Sequence, residues 1–529
     1  MKQLKTPLLL LSGLLALPDS QAQVTYAEHI APLIYTHCTS CHRVGEIGGF
    51  PLTNYQEVSG WGTTIAYVTG IRYMPPWSPD ASYSHLLGEN TLTNAEIQQI
   101  ADWVQNGMPR GNVGIEPTPP NFPTGSQLGT PDLVLSFAQA FEHQAGADMY
   151  QVFALPTGLT QNQQLAAIEL RPGNNAIVHH ALFSWDTSGT ARANDAATPE
   201  YGYMNFSDFG VSGAELRQFP SFAPGQKPRR YPDGIGQFLP ANADLLVQMH
   251  YAPTPVNAFD SSTVNLFFAD APVSRQVTQY IMLPNNLTNG PFWIPANQIV
   301  TFHGQITAPF DVTLLAVGPH MHLLGKNWEV FVIDPQGDTT NLIKINQWDF
   351  HWQGIYSLPR FIKIARNSII HAYATYDNTA ANPNNPNNPI VDVTWGEETT
   401  AEMFYLSMWL IPYRAGDENV VLPNDTIQLG PPLISSSENI LLPQNKLYPI
   451  YPNPTADVLN VAFALVENQN LTIDIVDVSG RVVKNIANNQ NYSVGRHLQP
   501  ISTVNLANGV YLLRIVGQNL NQTQKFVIN

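Results

Sequence analysis

The chain of 529 residues has two cysteines, Cys38 and Cys41, and both lie in one short motif. No disulfide framework can therefore hold the rest, which must be secured by packing and backbone hydrogen bonds. The apolar pattern points to strands. DLVLSF, MYQVFAL, LAAIEL, AIVHHALF, DLLVQMHY and VNLFF are short runs between turn signals. TLLAVGPHMHLLG, WEVFVID, SIIHAYATYD, VDVTW and EMFYLSMWLIPY follow in the same style. Glycine (36) and proline (43) are plentiful and only 12% of residues are charged, which suits a turn-rich body with short helices. The predicted fold class is multidomain and mainly β. It comprises a small α-helical domain, two antiparallel β-sandwich lobes and a C-terminal immunoglobulin-like β-sandwich. Length alone predicts roughly three or four domains at ~100–200 residues each.

The formal charge of −16 argues against nucleic acid or an anionic membrane surface as partner. The opening MKQLKTPLLLLSGLLALPDSQAQ places two lysines before a short apolar run and then Ser-Gln-Ala. It reads as a secretory signal peptide over residues 1–22, cleaved after Ala22. No later stretch approaches about 18 continuous apolar residues, so no transmembrane segment is predicted. The remaining divisions are an N-terminal helical domain (23–112), a Pro/Gly/Ser/Thr-rich semi-rigid linker (113–130), two β lobes (131–275 and 276–416), a polar linker (417–447) and a C-terminal β domain (448–529).

Cys38-Thr-Ser-Cys41-His42 is a CxxCH motif. Two thiols at this spacing attach covalently to haem vinyl groups, and the following His42 becomes the proximal iron ligand. Zinc would need further cysteines, and a redox dithiol is the other reading. Met74 in IRYMPPW is the candidate sixth ligand, with Met108 and His85 as alternatives. The two prolines after Met74 stiffen its loop. LTNAEIQQIADWVQNGMP predicts a closing amphipathic helix, with Thr93 as N-cap, Glu96 three residues on and Gly107 as C-cap. On CTSCH and YMPPW, residues 23–112 resemble class I cytochromes c, which implies covalent haem c and electron transfer.

A second constellation occupies the β body. VGPHMHLLGK puts His320 and His322 two apart after an apolar run, spacing that shares one face of a strand. His179 and His180 in AIVHHALFSW, His250 in LLVQMHYAP and Met403 in TTAEMFYL complete five histidines and one methionine. Imidazole with thioether is a copper set, because soft sulfur suits Cu(I). The order HH, QMHY, HMHLLGK, EM, together with YPDGIGQFLPANADLLVQMHYAP, resembles the copper type II ascorbate-dependent monooxygenases over residues 131–416. That family includes peptidylglycine α-hydroxylating and dopamine β-monooxygenases. The resemblance implies two copper ions. His179, His180 and His250 would hold one that passes electrons, and His320, His322 and Met403 one that activates O₂. The implied reaction inserts one oxygen atom into an aliphatic C–H bond, drawing single electrons from a one-electron reductant. A tethered cytochrome raises the effective concentration of such a donor, so the expectation is that haem feeds the three-His copper.

Several departures from that family bear on substrate. The animal members are disulfide-rich, and this body has no cysteine. Gly318 stands where the peptide-amidating enzyme has the arginine that grips the substrate carboxylate, and Tyr405 and Ser407 replace its Asn and Tyr after the ligand Met. A glycine-extended peptide is therefore disfavoured, and Phe404 and Tyr405 are expected in an apolar pocket or the core. His143, His303, His351 and His371 read as structural. The Asn/Pro run at 376–389 predicts a rigid loop near Met403.

At the C-terminus, YPNP, DVSGRVV and NGVYLLRI carry a resemblance to the sorting domain of type IX secretion substrates over residues 448–529. It implies the type IX machinery as partner and export to the surface or medium of a Gram-negative bacterium. The readings set against a haem–copper monooxygenase are a non-catalytic electron-transfer or copper-carrying surface protein and a plain ligand-binding β module. The substrate, small molecule or peptide, is not legible.

Overall fold

The computed structural model describes residues 23–422 and 445–528, apart from positions 123–124, 147, 207, 214–218, 224–225, 448–449, 451–452 and 456–457. The predicted signal peptide and most of the 417–447 linker lie outside the described residues. The chain is mainly β, with several sheets and a few short helices. It divides into two compact units. One comprises Leu33–Ile97 and Thr118–Pro431, and the other Met1–Pro32, Gln98–Pro117 and Pro432–Asn529.

In the larger unit, residues 131–276 form two five-stranded sheets. One runs Leu133–Ser136, Thr263–Phe268, Gln163–Arg171, Ile235–Leu239, Arg275–Gln276; the other runs Tyr203–Met204, Met149–Pro156, Asp244–Tyr251, Val178–Asp186, Phe219–Phe222. Pairing is antiparallel except for the short parallel contact of Arg275–Gln276 with Ile235–Gly236. Both sheets feed one core, with Leu135, Leu165, Val264 and Leu266 from the first and Phe153, Phe183, Val247 and Met249 from the second. Asp244–Tyr251 is buried along its whole length. Its other face is covered too, Leu246 packing with Val152, Ala191, Tyr203 and Phe209. That explains why DLLVQ reads as a continuous run rather than an alternation.

Residues 278–412 supply two four-stranded sheets: Thr278–Met282, Tyr405–Pro412, Val312–His320, Tyr356–Ile364, and Ile299–Thr307, Ile369–Asp377, Gly325–Ile333, Thr339–Ile345. They share a core that includes Leu314, Trp328, Val330, Ala374, Phe404 and Met408. Aliphatic and aromatic side chains buried this fully contribute about 1.5–3 kcal/mol each, the stabilisation a body without disulfides has to rely on.

The helical segment 33–97 is docked on this second set of strands. Asp80 N–H donates to Lys344 O at 2.7 Å and Leu87 N–H to Ser357 O at 2.8 Å. Ser84 Oγ donates to Leu342 O at 2.8 Å, and Leu86 enters the core itself. The predicted linker is also pinned in part: Asn265 Nδ2 donates to Gly125 O at 2.9 Å and Gln127 N–H to Glu169 Oε1 at 2.7 Å. From residue 125 onward it is a strap lying along the sheet rather than a free tether. The helix Asn94–Gln105 begins as the sequence predicts, Thr93 N–H donating to Glu96 Oε2 at 2.7 Å and Glu96 N–H to Thr93 Oγ1 at 3.2 Å. It ends on Gly107 at φ +80°.

In the smaller unit, Lys446–Leu447, Val458–Leu465 and Gly495–Ser502 form one sheet. Val482–Tyr492, Gln469–Asp477, Gly509–Gly517 and Asn521–Ile528 form another. Phe463, Ile473, Leu513 and Phe526 belong to their common core. The DVSGRVV stretch is the hairpin between Gln469–Asp477 and Val482–Tyr492, with Gly480 at φ +86°.

Candidate metal centre and cofactor cavity

His179 and His180 are consecutive, and consecutive strand residues point to opposite faces. The structure brings both to one side with a β-bulge. Val178 pairs with Tyr251 and His180 with His250, so that His179 is the extra residue. The three Nδ1 atoms then converge, at 3.2 Å (His179–His180), 3.1 Å (His179–His250) and 3.2 Å (His180–His250). An ion about 2.0–2.1 Å from each would subtend roughly 100° between neighbours. His250 Nε2 lies 2.5 Å from Asp148 Oδ1. That carboxylate can only accept, so Nε2 carries the proton and Nδ1 keeps its lone pair for a metal. Tyr150 stacks on the His250 ring at 4.3 Å. Burial holds His179 down to about pKa 4 and His180 well below its usual value, so both are neutral near pH 7. The hydrogen bond from His250 keeps Asp148 below its ordinary pKa. Among the described residues this is the group of three that could hold a metal ion.

The second set is built differently from the strand-face expectation. The strand Val312–His320 ends at His320, and His322 lies beyond it. Their rings nonetheless sit 5.1 Å apart, nearly perpendicular, because the following turn is clamped. Glu402, buried, accepts from the backbone N–H groups of His322 (2.8 Å), Leu324 (2.6 Å) and Met403 (3.1 Å). One carboxylate thus ties the HxH turn to the Met403 segment. Burial pushes Glu402 up to about pKa 8, with the N–H donors opposing. His322 Nδ1 donates to Ala401 O at 3.1 Å, and His320 Nδ1 is hydrogen-bonded to Gln353 Oε1. Both rings are thereby left with Nε2 for a ligand. Burial lowers His320 to about pKa 3 and depresses His322. Met403 lies between Ala401, which accepts from His322, and Tyr405, which pairs with His320 across the strands. Tyr376 Oη donates to Met403 O at 2.8 Å and fixes its backbone.

The two sets face each other across one ring. Phe350 stacks on His179 at 5.6 Å and meets His322 edge-on at 5.9 Å. Phe404 is core, and the half-buried Tyr405 ring is 6.0 Å from His320. A Cβ on Gly318 would lie 2.5 Å from Ser407 Oγ, so a side chain there would require Ser407 to move. His143 is buried with Nε2 3.0 Å from Ala252 O. His303 and His371 bond each other at 2.9 Å across paired strands. The Asn/Pro loop reaches the Met403 segment through Asn387 Nδ2 and Thr400 O, 3.2 Å apart.

A cavity of about 1120 Å³ is lined by Cys38, Cys41, His42 and Met74. The motif folds as a turn, with Cys41 N–H at 3.1 Å and His42 N–H at 2.9 Å from Cys38 O. Both cysteines are free thiols, and burial raises both, Cys38 to about pKa 12. His42 Nδ1 lies 3.3 Å from Phe50 O, and its ring rests on Phe50, which stacks on Trp61. A Cβ on Gly48 would sit 2.6 Å from that same nitrogen. Nε2 is the nitrogen left for a ligand, and burial keeps the ring neutral by lowering its pKa. Arg43, Arg171, Lys227, Arg229 and Arg230 also line the cavity, together with Glu46, Glu89, Glu169 and Asp349, and Glu46 pairs with both Arg43 (2.7 Å) and Arg171 (3.1 Å). The two cysteines, His42 and Met74 on this one cavity fit the group the motif implies. Of the alternatives to Met74, the His85 ring is exposed and bonded to Glu89 at 3.1 Å, away from the cavity lining. Met108 follows Gly107 with a left-handed backbone, φ +57°. If haem is held by Cys38, Cys41 and His42, Met74→Ala is expected to leave it attached while changing its absorption spectrum. An unchanged spectrum would remove Met74 from the axial position.

Asp148, Phe350, Gln353 and Glu402 were not among the sequence candidates. The first three lie far in sequence from the histidines they touch and carry no local signal. Glu402 had one, since it precedes Met403 directly.

Comparison with known proteins identifies the tail. Residues 449–529 match the secretion system C-terminal sorting domain, the type IX signal. The chain is accordingly a secreted or cell-surface protein, and the secretion machinery is a partner. No helix among the described residues is long and apolar enough to cross a membrane. No curated protein matches the sequence. Among solved structures, the VP2 subviral particle of infectious bursal disease virus is 10% identical, covering 59% of this chain and 81% of that one, with a TM-score of 0.16. A β-glucuronidase from Parabacteroides merdae is 9% identical, covering 44% and 28%, with a TM-score of 0.13. One from Faecalibacterium prausnitzii is 9% identical, covering 44% and 38%, with a TM-score of 0.12. Likenesses this slight carry no argument about fold or activity.

Proposed function

We propose that the chain is a secreted haem–copper monooxygenase that hydroxylates an aliphatic C–H bond. It would comprise a cytochrome c domain, two β-sandwich lobes holding the ligands, and an immunoglobulin-like sorting tail. The reading rests on one observation above the others: three histidine Nδ1 atoms converge within 3.2 Å while His320 and His322 stand across a single phenylalanine from them. Bound copper supplies one-electron redox chemistry and O₂ activation at these sets, and covalent haem c supplies a one-electron store. The overall balance is RH + O₂ + two electrons + two protons → ROH + H₂O. His179, His180 and His250 would hold the copper that receives single electrons from haem or a reductant such as ascorbate, and His320, His322 and Met403 the copper that would use them with O₂.

The chain's own residues contribute three things. Asp148 and Gln353 fix which imidazole nitrogen is offered, Glu402 holds the HxH turn against Met403, and the buried neutral imidazoles spare the ligands from competition with protons near pH 7. The absent side chain at Gly318 argues for a substrate without a carboxylate to be gripped there. The second reading is a non-catalytic electron-transfer or copper-carrying surface protein, favoured by a three-His set that is complete with Asp148 behind it and needs no substrate. The thioether of Met403 separates the two. Met403→Ala is expected to abolish substrate-dependent O₂ consumption, with haem content and the copper on His179, His180 and His250 retained. Retained oxygen consumption would exclude Met403 from the site, and none in the copper-loaded wild type with any aliphatic substrate would favour the second reading.

A further inference from the structure

One short loop lies against both the haem cavity and the two histidine sets. Asp349, His351, Trp352 and Gln353 line the cavity that holds Cys38, His42 and Met74. Phe350, in their midst, turns the other way onto His179 and His322. Gln353 does both, lining the cavity while its Oε1 takes the hydrogen bond of His320 Nδ1. The loop is braced internally. Trp352 N–H donates to Asp349 O at 3.1 Å, His351 N–H to Asp349 Oδ1 at 2.9 Å, and Gln353 Nε2 to Phe350 O at 2.6 Å. From the cavity wall, one side chain and one hydrogen bond reach the ring of His320.

We propose that Gln353 is a positioning residue that couples the haem cavity directly to the His320/His322/Met403 site, giving that site its own electron entry beside the three-His set. The inference rests on the haem–copper reading above and goes beyond it in naming the acceptor and the route. The chemistry is a one-electron exchange. Ferrous haem is oxidised to ferric as cupric copper is reduced to cuprous, and no bond to the protein forms or breaks. Monooxygenation needs two electrons, and two entry points let one arrive at each metal without crossing the space between the sets. Gln353 also holds His320 in the tautomer that offers Nε2, so its amide serves both orientation and coupling.

The test uses the full chain carrying haem and copper, oxidised and free of O₂, with metal content measured first in every variant. A photochemical donor places one electron on the haem, and the ferrous absorbance is followed as it decays. In His179→Ala/His180→Ala, which retains only the His320-site copper, the decay is expected to persist. Adding Gln353→Leu should slow it about tenfold or more, the usual scale for losing a group that orients a ligand, and should shift the Cu(II) electron paramagnetic resonance signal. Gln353→Glu, which still accepts from His320, should restore the rate. Loss of the decay in His179→Ala/His180→Ala, with wild type still decaying, overturns the second entry while the monooxygenase reading stands. An unchanged rate in Gln353→Leu overturns the route. No decay in wild type carrying both coppers removes haem-to-copper transfer, and the proposal with it.

Discussion

In the metal-loaded protein, His320→Ala/His322→Ala is expected to lower copper from two per haem to one and to abolish oxygen chemistry. Two of three ligands vanish at once, and Met403 alone offers a thioether that cannot hold an ion against water. Haem content and the three-His copper should be unaffected, because His179, His180 and His250 are carried by different strands with Asp148 behind them. Copper analysis of the two purified proteins decides the matter. Two coppers remaining in the variant would place the second ion elsewhere, and no stoichiometric copper in wild type after reconstitution would end the monooxygenase reading.

Glu402→Ala is the second large effect, although Glu402 touches no reacting group. Its fully buried carboxylate answers three backbone N–H groups. Each donor left unpaired costs about 1–3 kcal/mol, so the variant should lose roughly 3 kcal/mol or more. The HxH turn would also part from the Met403 segment. The expected result is a thermal transition lowered by several degrees together with loss of the His320-site copper. Glu402→Gln keeps only one acceptor oxygen and should fall between wild type and alanine. Wild-type copper affinity in both variants would show that strand pairing alone aligns the site.

Much of the chain was legible beforehand because the signals are local. A strand announces itself by its own alternation, CxxCH by its own spacing, and the Thr93–Glu96 capping pair by two residues three apart. The ordered runs carrying HH, QMHY and HMH named the histidines for the same reason. Strand ends and irregularities were not legible. That His320 closes its strand, leaving His322 on a turn, follows from the Glu402 clamp eighty positions away. That His179 and His180 share a face follows from a bulge opposite Tyr251 and His250, a register fact that no window of sequence contains. The linker reads as a semi-rigid spacer by composition, and composition does not show that Gly125 and Gln127 are fastened to Asn265 and Glu169.

The sequence by itself determined the sorting tail and named the candidate ligands and the CxxCH motif, because residue identity and short-range spacing suffice for each. Only the tertiary structure decided which imidazole nitrogens converge, what holds them, and that the loop from Asp349 to Gln353 lies against both the cavity and the metal sets. Those outcomes depend on contacts between residues far apart in the chain, fixed by sheet register and by buried polar groups that must find partners, and neither is written in any one segment.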